Sequence, residues 1–317
     1  MNEGYFIITI FVTIVGIIGN SLVICALLVH KRLRVLSNLF IANLALADLF
    51  VAGIIHPFTA LGIIRPEYFY NGVEHEPTVL CEILASLCVI SCCSSLFSIT
   101  AVAINRYVYI CHRQYYPKIF TRRTVFLVLI GIWVLSTLVD LPNFIGFGRH
   151  VFHVRTATCF FDTVNSGYGI YFIVSSIVIP VFITSICYTR IVILVLQNKR
   201  RLQNRIASEI SVVVVSTSSI KPADVKLIRT VAIIGTMGLI LYTPFSFTLL
   251  FDDGKITGKI WMFSTGLMHS YSCINWCIYA LTNHMFRTAY VYIFKKYIFC
   301  PFFKDIKDIN VANSSVA

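Results

Sequence analysis

Charge is scarce in this chain: of its 317 residues only 13% are Asp, Glu, Lys or Arg, and just 14 are acidic. Set against 57% apolar residues and a mean hydropathy of +0.81, that shortage excludes a water-soluble globule of this length and identifies an integral membrane protein. Enzyme signatures are missing as well. No HExxH, GxSxG or P-loop spacing occurs and the histidines are scattered, so no hydrolase chemistry is indicated. The two halves show no inverted repeat and no paired broken spans, which weighs against a secondary transporter. A basic n-region and a small-residue cleavage site are absent ahead of the first apolar run, so no removable signal peptide is expected. Connections between the apolar runs are short and leave no room for a second folded domain.

What is present is a series of long apolar runs, at residues 5–29, 39–63, 83–111, 124–146, 167–196, 227–251 and 260–281. Lipid offers no hydrogen bonds to a bare backbone, so each must be a helix. The expected fold is an all-α membrane protein: a seven-transmembrane helix bundle over 1–282, a short amphipathic eighth helix over 283–300 and a short tail over 301–317. Lys and Arg fall unevenly among the connections. Those around 30–37, 106–123, 190–229 and 287–307 carry three, five, eight and five, whereas the alternate loops carry only Arg65, Arg149, Arg155, Lys255 and Lys259. The imbalance places the N-terminus outside and the tail in the cytosol, and the plasma membrane is the expected location. The net charge of +12 thus belongs mainly to the cytosolic rim, and nucleic acid is not implied as a partner.

The central stretch runs from Cys81 to Arg106, with no charge between Glu82 and Arg106, covering roughly 38 Å at ~1.5 Å per residue. It exceeds a hydrocarbon core of about 30 Å, so its cysteine lies at one face and its arginine at the other. Most of the eleven cysteines lie inside apolar runs, where a thiol acts as a small hydrophobe. Cys81 and Cys159 fall in outer segments and are expected to pair in an oxidising compartment. The segment HMFRTAYVYIFKKYIF reads as a basic amphipathic helix on the inner leaflet. Cys300 beside it is either a palmitoylation site or a free thiol.

Polar groups at bilayer depth cost free energy and suggest either function or helix packing. Asn20, Asp48, Ser95, Ser272 and Asn275 are such groups. A buried aspartate needs a proton, a cation or several donors. Asp48 with Ser95, Ser272 and Asn275 is therefore a candidate sodium pocket, and no other cofactor is indicated. The same residues keep a transporter or channel open as a competing class.

Several of these features form an ordered set: GN at 19–20, LALAD at 44–48, Cys81 with Cys159, NRY at 105–107, Trp133, Pro180, Tyr188, Pro244 and NWCIY at 275–279. In order and spacing this set resembles the rhodopsin-like (class A) G-protein-coupled receptors over nearly the whole chain. NRYVYICH at 105–112, DLPN at 140–143, CYTRIVILVLQ at 187–197 and YALTNHMFR after the seventh span are similar to melatonin receptors in particular. The related invertebrate moody and trapped-in-endoderm group also carries NRY. The resemblance implies a small, largely apolar extracellular ligand, a heterotrimeric G protein of the inhibitory class, and an arrestin as partners.

By the same resemblance the ligand pocket is lined by Cys88, Cys92, Asn143, Phe161, Ser176, Tyr242, Phe245 and His269. Cys88 stands where amine receptors carry an aspartate, which argues against an amine. His269 stands where opsins carry the retinal lysine, which excludes a covalent chromophore. The chain departs from the melatonin pattern in two pocket positions: the glutamine expected near Thr163 is missing, and Ser176 replaces a histidine. The switch residues implied are Asn105, Arg106, Tyr107, Tyr188, Asp224, Pro244, Asn275 and Tyr279. Here Asn105 replaces the usual acid, Tyr242 the sixth-span tryptophan and Trp276 the seventh-span proline. Asp224, at the inner start of span six, is the candidate partner of Arg106; a solvated helix-end charge is the alternative. These departures also admit an orphan receptor with weak or constitutive coupling.

Overall fold

The computed structural model describes residues 3–71, 76–163, 166–207, 222–252 and 256–299. Seven long helices form one bundle: α1 (Glu3–Val29), α2 (Leu36–Ile64), α3 (Val79–Cys111), α4 (Arg122–Asn143), α5 (from Ser166 to Ala207), α6 (Pro222–Phe251) and α7 (Gly258–Thr282). A shorter α8 (His284–Ile293) follows. The expected seven spans are thus all helical, with ends within a few residues except where α5 runs on to Ala207. Six of the helices are long and apolar enough to cross a membrane by composition alone. α7 falls short because it carries His269, Ser270, Ser272 and Asn275, several of which point into the bundle.

Local sequence explains the helix starts. Thr78 and Thr121 are N-caps whose hydroxyls accept the backbone N–H of Cys81 and Thr124, three residues on, at 3.3 and 3.2 Å. α3 is the axis: 72% of its most apolar window is buried, against 28% for α4. Its small residues Ser91, Ser94, Ser98 and Ala103 let neighbours pack closely. The outer faces of the helices carry Phe11, Ile130, Phe182 and Phe247, all exposed, as lipid contact requires. Single π-turns interrupt α2 at Val51–Ile55 and α5 at Val174–Val178. In α8, Phe286, Ala289 and Tyr290 are buried at helical spacing and Arg287 and Thr288 are exposed, the amphipathic pattern expected.

Two small sheets, not foreseen from the sequence, cover the disulfide-bearing end. β1 (Tyr70–Asn71) pairs with β2 (Glu76–Pro77), and β3 (His150–His153) pairs antiparallel with β4 (Thr158–Phe161) in register His150↔Phe161 and Phe152↔Cys159. Ala157 turns this second hairpin with a positive φ of 53°. The Cys81–Cys159 disulfide fastens β4 to the start of α3. The 208–221 connection, Cys300 and residues 301–317 lie outside the described residues.

Candidate functional site

Three layers along the bundle axis hold the polar residues. In the middle layer Asp48 of α2 is fully buried, with Ser95 of α3 donating to one carboxylate oxygen at 2.9 Å and Asn275 of α7 donating to the other at 2.7 Å. Asn20 of α1 donates to the Ser272 carbonyl at 2.7 Å and to Gly16 O at 3.0 Å. The side-chain oxygens of Asn20 and Asn275 are buried without a hydrogen-bond partner among the described residues. Three helices, α2, α3 and α7, therefore meet at one aspartate, and Asn20 ties α1 to the α7 backbone at Ser272. A second network ties α4 to α2 and α3: Trp133 donates to Asn43 at 2.9 Å and Asn43 to Ser98 at 2.8 Å.

At the other end of α3, Arg106 is buried and donates to Ser37 Oγ at 3.0 Å. Asn105 turns away and donates to Tyr116 Oη at 3.3 Å. Tyr107 pairs with His112 at 3.0 Å. Asp224 lies in the first turn of α6, but its side chain is outside the described residues. Tyr279 is buried and stacks on Phe286 of α8, ring centres 4.9 Å apart, while Tyr188 Oη has no hydrogen-bond partner among the described residues. Pro244 sits inside α6. A cavity of about 260 Å³ lies between α3, α5 and α6, with Tyr242 and Tyr271 toward one end and Tyr188 toward the other.

At the disulfide-bearing end the eight expected pocket residues divide. Cys88, Phe245 and His269 line a cavity of only about 20 Å³, closed by Phe160 of β4, whose ring centre lies 5.9 Å from that of Phe245. Cys92 lies one helical turn from Cys88 and close to His269. Tyr242 lines the deeper cavity instead. Asn143 donates to Asp140 at 3.0 Å, Phe161 packs between Tyr168 and Phe172, and Ser176 pairs with Cys93 at 3.2 Å. Above the small cavity opens a vestibule of about 540 Å³ that includes His153, Asp162, Asp252 and Trp261. Burial holds the His153 imidazole below its ordinary 6.5, so it is neutral at pH 7, 2.8 Å from the Phe161 carbonyl.

Sequence reasoning passed over three features here. Asp140 and His150 form a buried pair at 3.0 Å, although Asp140 ends its helix and reads as an interfacial charge. Asp252 joins Arg155 at 3.0 Å and Trp261 at 2.8 Å, fastening the hairpin to α6 and α7. His56, buried in α2, meets His269 edge to face with ring centres 5.0 Å apart. Arg155–Asp252 and His56–His269 join residues distant in sequence, and Asp140–His150 closes across the turn between α4 and β3, so only the fold reveals them.

Arg106 at one end of α3, Asp48 bonded to α3 and α7, and a disulfide-tethered hairpin at the other end make up the polar framework of the bundle. The profile described as 7 transmembrane receptor (rhodopsin family) matches residues 19–279. The chain is 34% identical to melatonin receptor type 1A of Phodopus sungorus over 89% of its length and 78% of that protein's. It is 31% identical to melatonin receptor type 1B-B of Danio rerio, covering 90% of this chain and 80% of that one. The fold is similar to squid rhodopsin, with a TM-score of 0.78, 20% identity and coverage of 94% and 86% of the two chains. The family profile, the sequence relatives and the fold agree, and the chain belongs to the rhodopsin family of seven-transmembrane receptors, a family of receptors and not of enzymes.

Proposed function

We propose that the chain is a plasma-membrane receptor that binds a small, largely apolar extracellular ligand and activates a heterotrimeric G protein of the inhibitory class. Similarity to melatonin receptors across nine-tenths of the chain carries this reading. The disulfide-bearing end is the outer one and the basic rim the cytosolic one, a placement that the Lys and Arg distribution supports. Around the small outer cavity, Phe245, Met268 and Trp261 are apolar and no carboxylate faces in among the described residues, which suits an uncharged ligand. Ligand cavities run to about 300–1,000 Å³. The ligand therefore enters by displacing Phe160, and Phe160→Ala raises affinity for small apolar ligands in equilibrium binding.

Signalling is a population shift between two helix arrangements, driven by a ligand that binds one of them better. Arg106 is the inner latch, with Asp224 its partner across α3 and α6. Pro244 removes one backbone hydrogen bond from α6 and supplies the pivot. Opening creates a basic-rimmed cavity for the C-terminal helix of Gα, and afterwards for an arrestin. Asp224→Ala raises ligand-free nucleotide exchange severalfold; basal exchange equal to wild type refutes the latch. Arg106→Ala brings exchange to background without altering ion flux in proteoliposomes. A parallel change in ion flux would favour a transporter.

A sodium ion fits the middle layer. Asp48 supplies a carboxylate, Ser95 a hydroxyl, and the amide oxygens of Asn275 and Asn20 have no hydrogen-bond partner among the described residues. All are hard oxygen donors suited to such an ion. A bound sodium ion would supply a charge that the Asp48 carboxylate neutralises, and Asp48, Ser95 and Asn275 would then hold helices α2, α3 and α7 in the resting arrangement. Sodium lowers basal exchange in the wild type, and Asp48→Asn abolishes that dependence; an unchanged sodium response in the variant rejects the site.

A further inference from the structure

The side chains of Cys88, Cys92 and His269 converge between α3 and α7, their ligand atoms within 4.8 Å of one another and all three residues buried. Cys88 and Cys92 are four residues apart on α3, which places both thiols on one face of the helix. His269 comes from α7 with Nε2 3.8 Å from Cys88 Sγ. Tetrahedral zinc holds sulfur at about 2.3 Å and imidazole nitrogen at about 2.0 Å, which sets those two atoms roughly 3.5 Å apart. The Cys88–His269 pair needs only a small closing movement, and Cys92 lies within 4.8 Å of both. Beside them lies His56, its ring against that of His269 and its Nε2 buried without a hydrogen-bond partner among the described residues.

We infer that Cys88, Cys92 and His269 form a binding site for a thiolate-preferring metal ion, with Zn²⁺ the best match. Charge balance favours a divalent ion: two thiolates and a neutral imidazole make Zn²⁺ electrically neutral, and a neutral complex is the one an apolar interior tolerates. Binding forms two zinc–sulfur bonds and one zinc–nitrogen bond, and the two thiol protons leave to solvent. The fourth position is completed by one water in the adjoining cavity of about 20 Å³, large enough for a single water. His56 packs edge-on against His269 and restricts the rotation of its ring. An ion reaches the site from the vestibule, which shares His153, Thr156, Thr163 and Trp261 with the small cavity. Because the ligands come from two helices, bound metal favours whichever receptor state keeps α3 and α7 together at this level.

The inference is separate from the signalling assignment and is tested without agonist or G protein. Full-length receptor in nanodiscs, stripped with a chelator and titrated with Zn²⁺, retains one ion per chain by elemental analysis. Cobalt substitution gives a thiolate-to-metal charge-transfer absorption. Cys92→Ser and His269→Ala each weaken zinc binding at least a hundredfold, and His269→Cys restores it. In wild-type protein, Zn²⁺ also protects Cys88 and Cys92, but not Cys25, from alkylation mapped by mass spectrometry, a reading that needs no variant. Absence of stoichiometric metal, or equal alkylation of Cys88 and Cys92 with and without Zn²⁺, overturns the inference. So does zinc that persists in Cys88→Ser/Cys92→Ser but is lost in His153→Ala, which would place the ion in the vestibule.

Discussion

Gly19→Ala lowers the thermal unfolding midpoint of the purified receptor by several degrees, and Trp276→Ala in the same chain restores much of the loss. A Cβ at Gly19 would fall within the indole of Trp276, on atoms Cγ, Cδ1 and Nε1. The ring is large and α1 and α7 pack closely, with Cys273 Sγ 3.2 Å from the Val12 carbonyl, so neither helix can yield without disturbing the other. Overpacking of this kind costs about 1–3 kcal/mol. Two residues that share one volume must show non-additive effects, and the double substitution measures the coupling. Gly131 is the control: a Cβ there meets nothing within 4 Å. Alanine at that position leaves stability unchanged or raises it by up to about 1 kcal/mol through helix propensity. A loss in Gly131→Ala equal to that in Gly19→Ala would mean that helix flexibility, not the indole contact, sets the effect.

A larger loss follows from cutting the disulfide. Cys81–Cys159 spans 78 residues of sequence and fastens the β3–β4 hairpin over the bundle. In the chain-entropy account a bridge of that span contributes about 4–5 kcal/mol by restricting the unfolded chain. Cys81→Ser, Cys159→Ser and the double substitution therefore reduce folded receptor at the cell surface to the same low level, since each removes one and the same bond. Surface labelling against total protein reads this directly. Additive losses would show that the two thiols act separately.

The seven helices could be read from the sequence because lipid imposes two simple conditions, apolar length and a satisfied backbone, and both are local. The middle layer was readable for a related reason: an aspartate such as Asp48 is so costly at that depth that its donors must lie nearby. The hairpin was not readable. His150–His153 and Thr158–Phe161 alternate too briefly to separate strand from loop, and their register depends on the disulfide. Span seven was found by its length, even though its inward polar residues dilute its hydropathy. The outer pocket was only partly readable. Helix periodicity places Cys88 and Cys92 on one face, but it does not report that Phe160 packs against Phe245 and lines the same small cavity as Cys88, nor that Asn143 turns to Asp140. Those outcomes depend on a loop folding back across the bundle. The proximity of His269 to the two cysteines is likewise a meeting of distant segments, invisible until α3 and α7 are placed side by side.

The most direct test of the receptor reading is nucleotide exchange on a panel of purified Gα subunits by the receptor in nanodiscs, with and without melatonin and a set of small apolar amides, indoles and lipids. The account predicts ligand-dependent exchange on an inhibitory Gα, absent in Arg106→Ala. Silence across every subunit and compound, from protein that is folded and disulfide-bonded, would contradict it.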